Sequence, residues 1–442
     1  MTLFHYDPQK LNRLHALWKE KPWTRPRPIG LAPSMGYGDR IGLATPGHLA
    51  AHRDAGLVGK VVPLFAQQSA REMERTGRTP VDVMLDAVAT IGDSDFRHIH
   101  ASDADHMKSE EHVRACLEAG FTWFTADPSD LVRDDADDIP KSDLDEAFSE
   151  LVDKNPGRFD HFLKEYVGSH PIQSLGTAVP ADEEAVERVA LKYGPALYRA
   201  KEIDGWVRAG WKEDEPYDFE VSVDETSAPT SPLAHLVIAR ELKRLGVRVT
   251  ALAPRFVGEF QKAIDYIGSI EEFRDSLRVH VALAKQEGPY KISVHSGSDK
   301  FSIYPVLAEE CGDLLHLKTA GTSYLEALRV AARKDPQLFR KIAEFSAPVF
   351  EKQRATYHLK ATLEGFPTPG EVSDPELENR FLASPQSDDA RQALHVCFGA
   401  VLSDRGPEGL GQSLVQLLRR ESGEYAKVLR EHFLKHLVAF RA

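Results

Sequence analysis

Two histidines set far apart in the chain, His106 at the end of Ser102-Asp-Ala-Asp-His106 and His295 in Tyr290-Lys-Ile-Ser-Val-His-Ser-Gly-Ser-Asp-Lys-Phe301, have neighbours suited to chemistry. Two imidazoles joined by a carboxylate can hold a divalent cation and leave one coordination position open, as catalysis requires. Glu225 and Glu259 are acids at comparable places and either could complete the set. Each residue also has a plainer use. His295 could be a core histidine satisfied by backbone, His106 a helix-start residue, and Glu259 an acid complementing a helix dipole. Lys318 suits a Schiff-base amine or a clamp for a substrate carboxylate, and the clamp is the expectation adopted here. No compact ligand motif such as His-Glu-x-x-His gathers these groups locally, so the fold must do it.

The surrounding elements suggest how. Lys291, Ser293 and His295 fall on one face of a strand and Ile292 and Val294 on the other, the period of two that sends alternate side chains to opposite sides of a sheet. A unit of similar design, a short apolar run ending in polar residues and followed by a helical stretch, recurs along the chain. The run at 61–65 ends at Gln67 and Gln68, that at 96–101 at Asp105 and His106, that at 121–125 at Asp127, and that at 219–223 at Asp224 and Glu225. Residues 247–252 lead to Arg255 and Glu259, the strand at 290–295 to Ser296 and Asp299, and 314–317 to Lys318. With one more strand in residues 28–45, eight units predict an α/β fold. That fold is a (β/α)8 TIM-type barrel over 28–330, with its chemistry at the C-terminal ends of the strands. Residues 131–213 predict a helical insertion. Residues 1–27 predict a leading helix and connector, and 331–442 a helical extension packed under the barrel or used in a homo-oligomer contact.

Composition removes several classes. A formal charge of −13 and the lack of a Lys/Arg run exclude a nucleic-acid track. The glycines of Gly36-Tyr-Gly-Asp-Arg-Ile-Gly42 miss the dinucleotide spacing by one residue, so Arg40 and His48 nearby read instead as substrate contacts or supports of such contacts. Cys116, Cys311 and Cys397 are too scattered for a disulfide framework or a zinc site and read as reduced thiols. Residues 1–21 lack a signal-peptide pattern and no apolar run reaches membrane-spanning length, so a cytoplasmic protein is expected, with no membrane partner.

Longer stretches carry a likeness. Gly38-Asp39-Arg40, Phe65-Ala-Gln-Gln-Ser69, Glu74-Arg-Thr-Gly-Arg-Thr79, Asp103-Ala-Asp-His106, Phe219-Glu-Val-Ser-Val-Asp-Glu-Thr226, Pro229-Thr-Ser-Pro-Leu233, the run 291–304 and Lys318-Thr-Ala-Gly-Thr-Ser-Tyr-Leu-Glu326 together resemble the tagaturonate epimerase family over about residues 35–360. The resemblance implies metal-dependent interconversion of D-tagaturonate and D-fructuronate. These sugar acids differ at a carbon β to the ketone, whose hydrogen the carbonyl does not acidify. A retro-aldol route follows, in which a Lewis-acidic cation supports carbon–carbon cleavage and a base serves the β-hydroxyl.

Asp105-His106 and Val294-His-Ser-Gly-Ser298 are also similar to segments of class II, zinc-dependent aldolases. That similarity implies His106 and His295 as metal ligands and Asp105 as acid/base. Glu259 is nominated as the third ligand, with Glu225 as alternative ligand or second acid/base. Zinc is the first candidate, with manganese and nickel open. Ser296 stands where the aldolases carry glycine, which suits an unphosphorylated substrate. Lys318, Arg255 and Arg71 are the cations available to the substrate carboxylate, and Gln67, Gln68, Asp127, Ser296 and Asp299 are further expected substrate contacts. Alternative readings are a class II aldolase, a fructose/tagatose 4-epimerase, or a non-catalytic aldolase-like sugar-acid-binding subunit.

Overall fold

Among the described residues ten strands form, and eight of them close on themselves. The structure, a computed structural model, describes residues 7–355, 357, 359–404 and 409–441, so the first six residues of the expected leading segment lie outside it. The strands are β1 (Ser34–Gly38), β2 (Val62–Ser69), β3 (Ala101–Met107), β4 (Trp123–Ala126), β5 (Gly168–Ile172), β6 (Thr177–Ala181), β7 (Asp218–Ser222), β8 (Ala251–Ala253), β9 (Lys291–Val294) and β10 (Leu315–Thr319). β1, β2, β3, β4, β7, β8, β9 and β10 pair in parallel, in that order, into the predicted closed barrel. The connections work because helix starts are capped by side-chain oxygens: Ser69, Thr79, Ser109, Ser231 and Ser269 each accept a backbone N–H of the helix that follows. At Ser69 the cap is reciprocal with Glu72, so β2 passes into a helix with no loop between.

Outward-facing residues such as Phe124, Phe219, Ile292 and Leu317 are fully buried against the surrounding helices. Inside the barrel, Leu64, Ala101, Trp123 and Ala251 form a small apolar plug toward the N-terminal end. Above the plug the interior is polar. One expectation shifts: the third strand begins at Ala101, not Phe96, so Asp103 and Asp105 lie within the strand rather than after it.

The segment between β4 and β7 is largely helical, with helices at Lys141–Lys154, Phe162–Tyr166 and Glu183–Gly210, and it also contains the antiparallel hairpin β5–β6, which was not anticipated. The C-terminal extension meets the barrel at the C-terminal ends of its strands, not beneath it. Its helix Ser422–His436 packs on the helices Thr45–Asp54 and Thr322–Lys334. Its helix Asp388–Val396 hydrogen-bonds the loop after β8 through Arg391 and Gln392.

Candidate active site

A local distortion aims His106. The residue sits at φ +55°, in the left-handed region that non-glycine residues rarely occupy, and the β3–β4 register shifts between Ala104 and Met107 around it. Such strain persists where the surroundings enforce it, often at functional positions. His295 lies one residue beyond β9, and Ser296 after it is also left-handed, at φ +49°. The two bends bring the imidazoles to 5.1 Å between ring centroids. One nitrogen from each ring and a carboxylate oxygen of Asp224 lie within 4.8 Å of one another.

Carboxylates orient both rings. His106 Nδ1 lies 2.9 Å from Asp105 Oδ1. His295 Nε2 lies 2.5 Å from Glu220 Oε1, while its Nδ1 faces Asp224 Oδ1 at 3.2 Å. Asp105 therefore leaves His106 Nε2 open, and Glu220 leaves His295 Nδ1 directed at Asp224. His295, with Nε2 on Glu220 and Nδ1 turned inward, is oriented as metal ligands are, and His106 has the Asp105 carboxylate close beside its Nδ1. Burial lowers the pKa of both rings, but Asp105 raises that of His106 to about 10 and Asp224 raises that of His295 to about 9. Burial pushes Asp224 up, and His295 brings it well below the usual aspartate range. These donors fit a divalent cation: its charge would replace the protons that the acids otherwise draw onto the rings.

Below them Lys318 is caged. Its Nζ is 2.8 Å from Asp103 and from Asp105, 3.1 Å from Glu220, and donates to Thr125 Oγ1 at 2.6 Å. Burial disfavours the ammonium, yet the three carboxylates raise its pKa further. Burial likewise pushes Asp105 up, but His106 and Lys318 hold it well below its ordinary value. Burial takes Asp103 up to about 7 against the pull of Lys318.

A family profile described as tagaturonate epimerase matches residues 3–440, a wider span than the motifs cover. The chain belongs to the tagaturonate epimerase family. A tagaturonate/fructuronate epimerase from Thermotoga maritima is 39% identical over 434 residues, covering 98% of this chain and 86% of the relative. The fructuronate-tagaturonate epimerase of Cohnella laeviribosi, in its native and its one-glycerol crystal structures, superimposes with a TM-score of 0.90 at 33% identity, covering 98% of this chain and 86% of that one. This family member is an isomerase of the epimerase type.

Of the residues singled out in the sequence, the enzyme brings His106, His295, Asp105, Glu225, Asp127, Arg71 and Ser296 to one rim. Glu225 and Asp127 each offer an oxygen within 4.8 Å of a His106 nitrogen. Arg71 lies 3.8 Å from Glu225 and 5.4 Å from the Tyr357 ring centroid. Gln68 accepts from Arg78, whereas neither amide atom of buried Gln67 has a hydrogen-bond partner among the described residues. Gln67 occupies the interior because β1 has glycine beside it: a Cβ at Gly36 would stand 2.5 Å from its Oε1.

Three nominated residues, Glu259, Lys318 and Asp299, have their side chains engaged elsewhere. Glu259, one third exposed, pairs with Lys360 and accepts from Gln261, and Asp224 stands by the histidines in its place. Lys318 is already neutralised by acids, which leaves it no free charge for a substrate carboxylate. Arg255 is different: its backbone N–H donates to Thr230 Oγ1 at 2.9 Å, while its buried guanidinium Nε has no hydrogen-bond partner among the described residues. Asp299 turns toward the C-terminal helices, to His432 and Arg391. Arg40 and His48 are fully buried as well, Arg40 on Glu72 and His48 on Ser323.

Asp103, Glu220 and Asp224 were given no role from sequence. Glu220, Ser222 and Asp224 alternate as Lys291, Ser293 and His295 do, so the period-two signal could have found them.

Proposed function

We propose that the chain interconverts D-tagaturonate and D-fructuronate by retro-aldol cleavage and re-addition, with a divalent cation held by His106, His295 and Asp224. The pairing of each imidazole with its own carboxylate, both inner nitrogens converging with Asp224, carries this reading. The donor set of two nitrogens and an oxygen suits zinc, manganese or nickel. When bound, the cation supplies Lewis acidity toward the ketone and the adjoining hydroxyl. Glu225, partly exposed beside His106, takes the β-hydroxyl proton as the bond between the α and β carbons opens. That bond's electron pair stays with the ketone fragment as an enediolate, and the β carbon becomes an aldehyde. After the aldehyde turns, the bond re-forms on its other face and Glu225 returns the proton. Asp105 is a poor base here, because His106 and Lys318 already occupy it. Its role is to orient His106. Gln67 offers an amide nitrogen with two N–H donors and an acceptor oxygen to sugar hydroxyls.

Three free, buried cysteines suit a reducing compartment, and we place the enzyme in the cytoplasm. Turnover in deuterium oxide tests the route. Retro-aldol chemistry keeps the original hydrogen on the inverted carbon, and solvent deuterium there would eliminate it. Chelation followed by metal add-back should abolish and then restore the rate, and full activity in the chelated protein would remove the cation from the mechanism.

A further inference from the structure

The loop between β8 and the helix Ile270–Glu287 delivers a lysine to the rim. Lys262 Nζ donates to Ser296 Oγ at 2.6 Å, next to His295. It makes no ion pair with any described carboxylate, in contrast to Lys318, which has three. Burial lowers its pKa and Arg71 across the rim lowers it further, while Asp224 and Glu225 act in the opposite direction. Arg71 is partly taken up by Glu225 at 3.8 Å, so of the two cations near the histidines Lys262 is the one without an ion-paired carboxylate among the described residues. Placing an ammonium in a half-buried site without a counter-charge is costly, and an anionic ligand relieves that cost.

The loop is also built to hold its position. Gln392 Nε2 donates to Lys262 O at 2.9 Å and Arg391 Nε to Ala263 O at 2.7 Å. Lys300 Nζ donates to the carbonyls of Gln261 at 2.8 Å and Ile264 at 2.5 Å. Ala263 is fixed in a left-handed conformation, at φ +66°. The C-terminal extension therefore preorganises the lysine.

We propose that Lys262, with Arg71 opposite, takes the carboxylate of the sugar acid and so sets specificity for hexulosonates over neutral ketoses. Under the retro-aldol reading the carboxylate belongs to the aldehyde fragment, the half that must turn. Held by its charged end, that fragment pivots without leaving.

Lys262→Met should lower kcat/KM for tagaturonate by about 10- to 100-fold, the worth of one charge-assisted hydrogen bond. The inhibition constant of tagatose, with hydroxymethyl in place of carboxylate, should change by less than about twofold on the same scale. Lys262→Arg should recover most of the loss, and Lys262→Met should release more dihydroxyacetone per epimer formed. An equal loss toward both compounds, or loss of bound metal in Lys262→Met, would overturn the proposal. Deuterium on the inverted carbon in the unaltered enzyme would end the retro-aldol route alone, leaving the specificity comparison to be judged by itself.

Discussion

Among the described residues two clusters share the same makeup, one aspartate and two histidines with ligand atoms within 4.8 Å: Asp224, His106 and His295 at the barrel mouth, and Asp299, His432 and His436 where the last helix meets the barrel. They differ in where the lone pairs go. In the second, His436 Nε2 accepts the Asp299 backbone N–H at 3.0 Å and its Nδ1 donates to the His432 carbonyl at 3.1 Å. His432 Nε2 is within 2.7 Å of Thr322 Oγ1 and 2.9 Å of Asp299, and Arg391 balances that carboxylate at 3.3 Å. The histidine nitrogens are engaged within the cluster and its side chains are buried, so the cluster is a latch tying the extension to the loop after β9. At the mouth the carboxylates stand outside the imidazoles and leave the inner nitrogens available. Composition does not make a metal site; the direction of the unshared pairs does.

Substitutions can break or sharpen this contrast. The largest effect is expected for His106→Ala or His295→Ala, each of which should remove bound metal and reduce turnover by more than about 100-fold, beyond the range for outer partners. His436→Ala should retain a full complement of metal by elemental analysis, and a loss there would erase the distinction between the clusters. Glu220→Gln keeps the shape but weakens the orientation of His295, so metal affinity by competitive chelation should fall roughly 10- to 100-fold. An unchanged affinity would remove Glu220 from its supporting role.

Asp299→Asn should leave metal binding intact and cost about 3–5 kcal/mol of stability, because Arg391 loses its buried partner. Denaturant unfolding with no change in midpoint would show that the latch is idle. The smallest effect concerns acid stability. Burial raises the pKa of Glu326, but His432 and Arg329 hold it near 2, below its ordinary value of 4.5. A depressed carboxylate stabilises the fold above its unfolded pKa, and that contribution, on the order of 3 kcal/mol, is lost as pH falls from about 4.5 toward 2. Glu326→Gln should flatten this part of the stability profile, and an unaltered acid limb would refute the assignment.

How much of this was legible in advance follows from the range of each interaction. The eight strands and the inward face of β9 rest on local alternation, which residues two apart set by themselves. Asp105 and Glu225 were legible as acids at strand ends, but their division of labour was not. Asp105 lost its freedom to Lys318, which arrives from a strand more than 200 residues later, and only closure of the barrel brings them together. Glu259 was nominated because it follows a strand as the other site residues do. Its loop is drawn instead toward Lys360 and Gln392, in an extension whose docking no local pattern announces.

The chain's own order of residues thus determined the barrel, the polar mouth and the family. Tertiary structure alone decided that Asp224 joins the histidines, that Lys318 is spent on acids and that Lys262 is left with a charge to share. Faces are set by neighbours along the chain, whereas charge pairing depends on which strands and loops meet across the closed barrel.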